Sequence, residues 1–84
     1  MIPYVEIEDQ FLRLKEVLNC KILIEPDKDN DDYEIYIIIT DSDKLTDINK
    51  EVDTIMRRIE SYYPTVVTNI IHRDEHLITI SLKN

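Results

Sequence analysis

The 84-residue chain contains no glycine, no tryptophan and a single cysteine. Average usage would place about six glycines in a chain of this length. Their absence removes whole classes of chemistry. Phosphate-binding loops and dinucleotide fingerprints need glycine so that backbone N–H groups can approach a phosphate closely. The usual nucleophile elbow needs it for a sharp turn. Turns with positive φ must fall to Asn and Asp, which tolerate that region best among residues carrying a side chain. Cys20 alone allows no internal disulfide, and within "VLNCKILI" it reads as a small buried hydrophobe. No apolar run approaches the ~18 residues that span a bilayer. With no leader-like start either, the cytoplasm is the expected compartment.

Positive charge is also scarce. Ten Lys and Arg face eighteen Asp and Glu, for a net charge of −8. Such a surface repels phosphates, so neither direct nucleic-acid binding nor an anionic membrane is expected. A basic protein partner fits this charge, and so does a protein that mimics nucleic acid. At 43% hydrophobic and 33% charged the chain is globular, and residues 1–84 form one domain. A domain this small buries only about 60% of its unfolded surface, so a partner or a homodimer would add stability.

What is present falls into six segments. In "PYVEIEDQFLRLKEVLN", residues 3–19, Tyr4, Ile7, Phe11, Leu14 and Leu18 recur at helical steps behind an initial proline. Asp9 and Arg13 are spaced as an i,i+4 pair. "CKILIE" and "YEIYIIIT" read as strands around the loop "PDKDNDD". "SDKLTDINKEVDTIMRRIESYY" repeats Leu45, Ile48, Val52, Ile55, Ile59 and Tyr62 at helical spacing, with Asp41 or Ser42 as cap and Pro64 as stop. Asp53 and Arg57 form a second i,i+4 pair. "TVVTNIIH" and "HLITISL" are strands joined by "RDE".

This αββαββ order predicts an α+β two-layer sandwich, with two helices on one face of a four-stranded sheet. A helical crossover between the second and third strands favours parallel neighbours, hence a mixed sheet. The arrangement matches a ferredoxin-like sandwich permuted so that its first strand lies at the end. A minimal nucleotidyltransferase-like sheet is the alternative. If Ile35, Ile37 and Ile39 face the helices, then Asp32, Glu34, Tyr36, Ile38 and Thr40 face away. In the last strand Ile78, Ile80 and Leu82 point inwards, leaving Leu77, Thr79 and Ser81 outside.

Asp32 and Glu34, two apart on a strand, share a face and form a candidate site for a hard divalent ion. Here "DYEIYIII" resembles the small nucleotidyltransferase-fold proteins of prokaryotic toxin–antitoxin pairs, in which an acid–x–acid motif opens an apolar strand. The resemblance spans about residues 11 to 71, in element order more than in residue identity. It implies either a metal-dependent nucleotidyltransferase-like enzyme or a non-catalytic relative acting as an antitoxin-like partner. Where that family carries Gly-Ser this chain has Glu25-Pro26-Asp27, and its third carboxylate is matched only by Asn69. These departures favour the non-catalytic reading, with no cofactor. A solvated turn explains the aspartate loop without any ligand.

His72 and His76 bracket the last turn and, with Asp74 or Glu75, are a further candidate metal site. The expected partner-binding surface comprises Tyr36, Ile38 and Leu77 on the outer sheet face, with Asp31 and Asp32 beside it. The function expected is therefore a small acidic protein-binding module. A nucleic-acid-mimicking inhibitor is the alternative.

Overall fold

The first helix begins directly after Pro3, its N-cap residue, whose backbone is extended with a φ of −73°. In the computed structural model, which describes residues 1–84, this helix is two segments, α1 (Tyr4–Gln10) and α2 (Leu12–Glu16). They hinge at Phe11, whose N–H is shared between the carbonyls of Ile7 and Glu8. The bend keeps Ile7, Phe11, Leu14 and Leu18 buried on one side. Tyr4 leaves the stripe and is exposed, its ring centroid 6.2 Å from that of Tyr33.

Strands β1 (Lys21–Pro26) and β2 (Tyr33–Ile38) follow, then a 3-10 turn (Ser42–Lys44) and α3 (Leu45–Tyr62). Asp41 caps that turn by accepting from the Asp43 N–H at 3.1 Å. Strands β3 (Val67–Arg73) and β4 (Leu77–Lys83) complete the chain. Positive φ falls on Asn19 and Asp31, the residue types that must replace glycine in such turns.

The sheet order is β1-β2-β4-β3. β2 and β3 run parallel, as a helical crossover requires, but they are not neighbours. β4 lies between them and pairs antiparallel with both. Every hydrogen-bonded pair is therefore antiparallel, which corrects the expectation of a mixed sheet with parallel neighbours. The physical reason is the closing hairpin: the turn after β3 folds β4 back onto it, on the side facing β2. A ferredoxin-like sheet with its first strand moved to the end has this same order and these directions.

Ile35, Ile37, Ile78, Ile80 and Leu82 face the helices and join Ile48, Val52, Ile55 and Ile59 in one core cluster. Tyr62 was expected to finish the stripe of α3 but is 68% exposed. Tyr63 takes its place, because it lies four residues after Ile59 and its N–H still reaches the Ile59 carbonyl at 2.8 Å. Its phenol donates to Glu6, joining the two helices. Neither expected i,i+4 ion pair forms: Arg13 pairs with Glu51 at 3.4 Å, and Asp53 with Arg73 at 3.7 Å. Both charges are used between elements instead of along one. No helix is long and apolar enough to cross a membrane.

Candidate functional site: the open face of the sheet

Both helices lie on one side of the sheet, so its other side carries only its own side chains. Strand register places them in rows. Leu23, Tyr36, Thr79 and His72 form one row across β1, β2, β4 and β3. Lys21, Ile38 and Leu77 form the row on one side of it, and Glu25, Glu34, Ser81 and Asn69 the row on the other. The face is thus graded along the strands, apolar at the Ile38 end and acidic at the Glu34 end.

Leu23 is 49% exposed and Ile38 40% exposed. Tyr36 and Leu77, paired with Leu23 and Ile38 respectively, are half-buried. Thr79, though on this open side, is only 4% exposed, since Tyr36 and His72 flank it in the register. The expected contact residues Tyr36, Ile38 and Leu77 are thereby neighbours. Leu23 completes the group and was missed. Period two puts Leu23 on one face with Lys21 and Glu25, but only its pairing with Tyr36 brings it beside this group.

At the acidic end a recess of about 280 Å³ is lined by Glu25, Asp27, Asp32, Tyr33, Glu34 and Lys83, among others. Asp32 and Glu34 both border it, but each carboxylate is engaged elsewhere. Asp32 accepts the backbone N–H of Asn84 at 2.9 Å. Glu34 accepts the Tyr36 hydroxyl at 2.5 Å. That hydrogen bond is the main cause raising the Tyr36 pKa above its ordinary value, assisted by burial and by the charges of Glu34 and Glu25. Glu25 and Glu34 oppose one another across β1 and β2, a like-charge pair that disfavours this end when no cation is near.

Asp31 holds the turn. Its φ is 55°, and its carbonyl accepts from the Asn84 side chain. Asp27 tightens the same loop by accepting the Asp29 N–H at 3.0 Å and the Asn30 amide at 3.2 Å. The first is the Asx hydrogen bond of a glycine-free turn.

His72 and His76 bracket the turn but are not paired with one another in the strand register. A bulge between Ile70 and His72 sets His72 opposite Thr79. His72 Nε2 lies 2.8 Å from Asp74, and His76 Nε2 lies 3.4 Å from Glu75. Asp74 accepts the backbone N–H groups of His76 and Leu77, both at 2.8 Å. The backbone of His76, then His72 and Leu77, hold its carboxyl down to about 2. Asp74 is therefore the residue that ties this hairpin. Nowhere do three or more His, Cys, Asp or Glu side chains converge as a metal ion would require. Cys20 is buried, and desolvation raises its thiol pKa against a smaller lowering by Lys44.

The geometry thus offers an apolar patch grading into carboxylates on the uncovered face of the sheet. No family model, curated protein or solved structure matches the chain.

Proposed function

We propose that this chain is a non-catalytic protein-binding module, antitoxin-like in use, which holds a basic partner against the open face of its sheet. The observation that carries this reading is the contiguous group Leu23, Tyr36, Ile38 and Leu77, which leaves large apolar surface in water on the side without helices. Apolar groups clustered within one uncovered face are characteristic of contact surfaces. The carboxylates of Glu25, Asp27, Asp32 and Glu34 adjoin that patch. A partner presenting apolar side chains followed by Lys or Arg satisfies both zones and relieves the Glu25–Glu34 repulsion.

Affinity purification from native lysate at low and high salt tests the reading when wild type and Tyr36→Asp are run together. The expected result is one stoichiometric, basic partner that survives high salt and is lost with Tyr36→Asp, while the variant's circular dichroism is unchanged. A complex indifferent to Tyr36→Asp would exclude this face. A salt-labile set of nucleic-acid-binding proteins would favour the mimicry reading instead.

A further inference from the structure

The two edges of the sheet differ. β3 carries a bulge between Ile70 and His72, a device that discourages pairing with another strand. β1 pairs with β2 in unbroken register over Lys21–Pro26 and has nothing beyond it in the sheet. The Asp27 N–H bonds the Asp32 carbonyl at 2.8 Å, which sets the alternation of this ladder. Lys21, Leu23 and Glu25 therefore direct their backbone groups to β2. Ile22 and Ile24 direct theirs to the uncovered edge. Beside that edge, on the helix side, lies an apolar recess of about 80 Å³ lined by Tyr4, Phe11, Leu12, Ile22 and Ile24, among others.

We propose that two copies of this chain pair antiparallel through their β1 edges, about a two-fold axis at Leu23, to form one eight-stranded sheet. Centring the axis there sets Ile22 of each copy opposite Ile24 of the other, and both are edge-facing residues. Each of these two symmetric pairs exchanges two N–H to carbonyl hydrogen bonds. On the helix side the isoleucines of one copy then cover the recess edge of the other. On the open face Leu23 meets its own counterpart at the axis.

Charge selects this register. Lys21 falls opposite Glu25 of the second copy, and Glu25 opposite its Lys21, giving two cross-strand ion pairs. Within one chain neither residue has an ion-pair partner, and Glu25 faces Glu34. The ends also agree. Continuing the register would set Pro26, which has no N–H, against Cys20, whose N–H is already bonded to the Leu14 carbonyl at 3.0 Å. The pairing stops where both donors are missing. The proposal shares Leu23 and Glu25 with the face inferred above but does not require the basic partner, and it would leave the Tyr36–Ile38–Leu77 surface in place on each half.

Sedimentation equilibrium on the wild type, Lys21→Glu and Glu25→Lys tests this. The wild type is expected to reach twice the 10.0 kDa of one chain with rising concentration. Each variant alone sets two like-charge pairs across the axis and is expected to stay monomeric. An equimolar mixture of the two variants pairs opposite charges at both positions and is expected to restore the dimer, which a folding defect would not do. Amide exchange at Ile22 and Ile24 should slow with wild-type concentration. A monomeric wild type at every concentration would overturn the proposal. So would a wild-type dimer whose mixed variants fail to associate, or one that leaves the Ile22 and Ile24 amides unprotected.

Discussion

Ile37 and Ile38 are adjacent and identical in chemistry, yet one is 0% exposed and the other 40% exposed, on opposite faces of β2. Truncating each to alanine tests the face assignment on which the functional reading depends. Ile→Ala removes three carbons, worth about 2.4 kcal/mol at ~0.8 kcal/mol each. At Ile37 the cavity left in a closed core adds to this, bringing the loss to about 4 kcal/mol. Ile38 is only partly removed from water and its loss leaves an open notch, so about 1–1.5 kcal/mol is expected. An 84-residue domain has roughly 4–13 kcal/mol in total, so Ile37→Ala takes a large share and Ile38→Ala a small one. Urea unfolding followed by circular dichroism, with an m-value of about 1 kcal/mol/M, converts these losses to midpoint shifts of about 4 M and 1 M. If Ile37→Ala has no folded baseline, the matched pair Ile37→Val at about 1 kcal/mol and Ile38→Val at about 0.4 kcal/mol provides the comparison. Equal shifts, or a larger one at Ile38, would refute the register, because a one-residue slip exchanges the two faces.

Asp74 gives a pH prediction. Its native carboxyl titrates at about 2, against an ordinary value of 3.8. A depressed native value stabilises fully above the unfolded value and is lost as pH falls towards the native one. The closing hairpin should therefore loosen between about pH 4 and pH 2, read as a falling protection factor at the Leu77 amide relative to its intrinsic exchange rate, and Asp74→Asn should flatten that dependence. An Asp74 carboxyl that titrates near 4 by NMR would count against the hydrogen bonds assigned to it. The positive-φ turns give another prediction: Asp31→Gly should raise stability by about 0.5–1 kcal/mol by removing the Cβ penalty at φ 55°. Asn19→Ala should lower it by about 1 kcal/mol, since alanine tolerates left-handed backbone less well than asparagine. Thermal unfolding of both variants checks the signs, and a stabilising Asn19→Ala would overturn this account.

Much of the fold was legible because its signals are local. The stripe Ile48, Val52, Ile55 and Ile59 needs only helical geometry, and all four are buried. The assignment of Ile35 and Ile37 inwards follows from a period of two, as do Ile78 and Ile80. The lack of glycine foretold which residue types would take positive φ, and Asn19 and Asp31 do. Errors arose where a choice depended on a distant segment. Tyr62 and Tyr63 are equally aromatic at the end of a helix, and only the cap geometry and Glu6 select Tyr63. Arg13 and Asp53 have suitable local partners, but Glu51 and Arg73 are the ones brought near.

The candidate site divides in the same way. Tyr36, Ile38 and Leu77 could be assigned to the outer face from alternation within their own strands. Leu23 shares its face with Lys21 and Glu25 by the same period, but only the pairing with Tyr36 puts it beside that group. The sequence by itself determined the element order, the buried stripes and the acidity, since each is a property of one segment or of composition. Only the tertiary structure decided that β4 separates β2 from β3, that His72 turns to Asp74, and that β1 is left as an unprotected edge. Those outcomes depend on which distant strands pair and in what register, a balance among many residues far apart in the chain that no local period encodes.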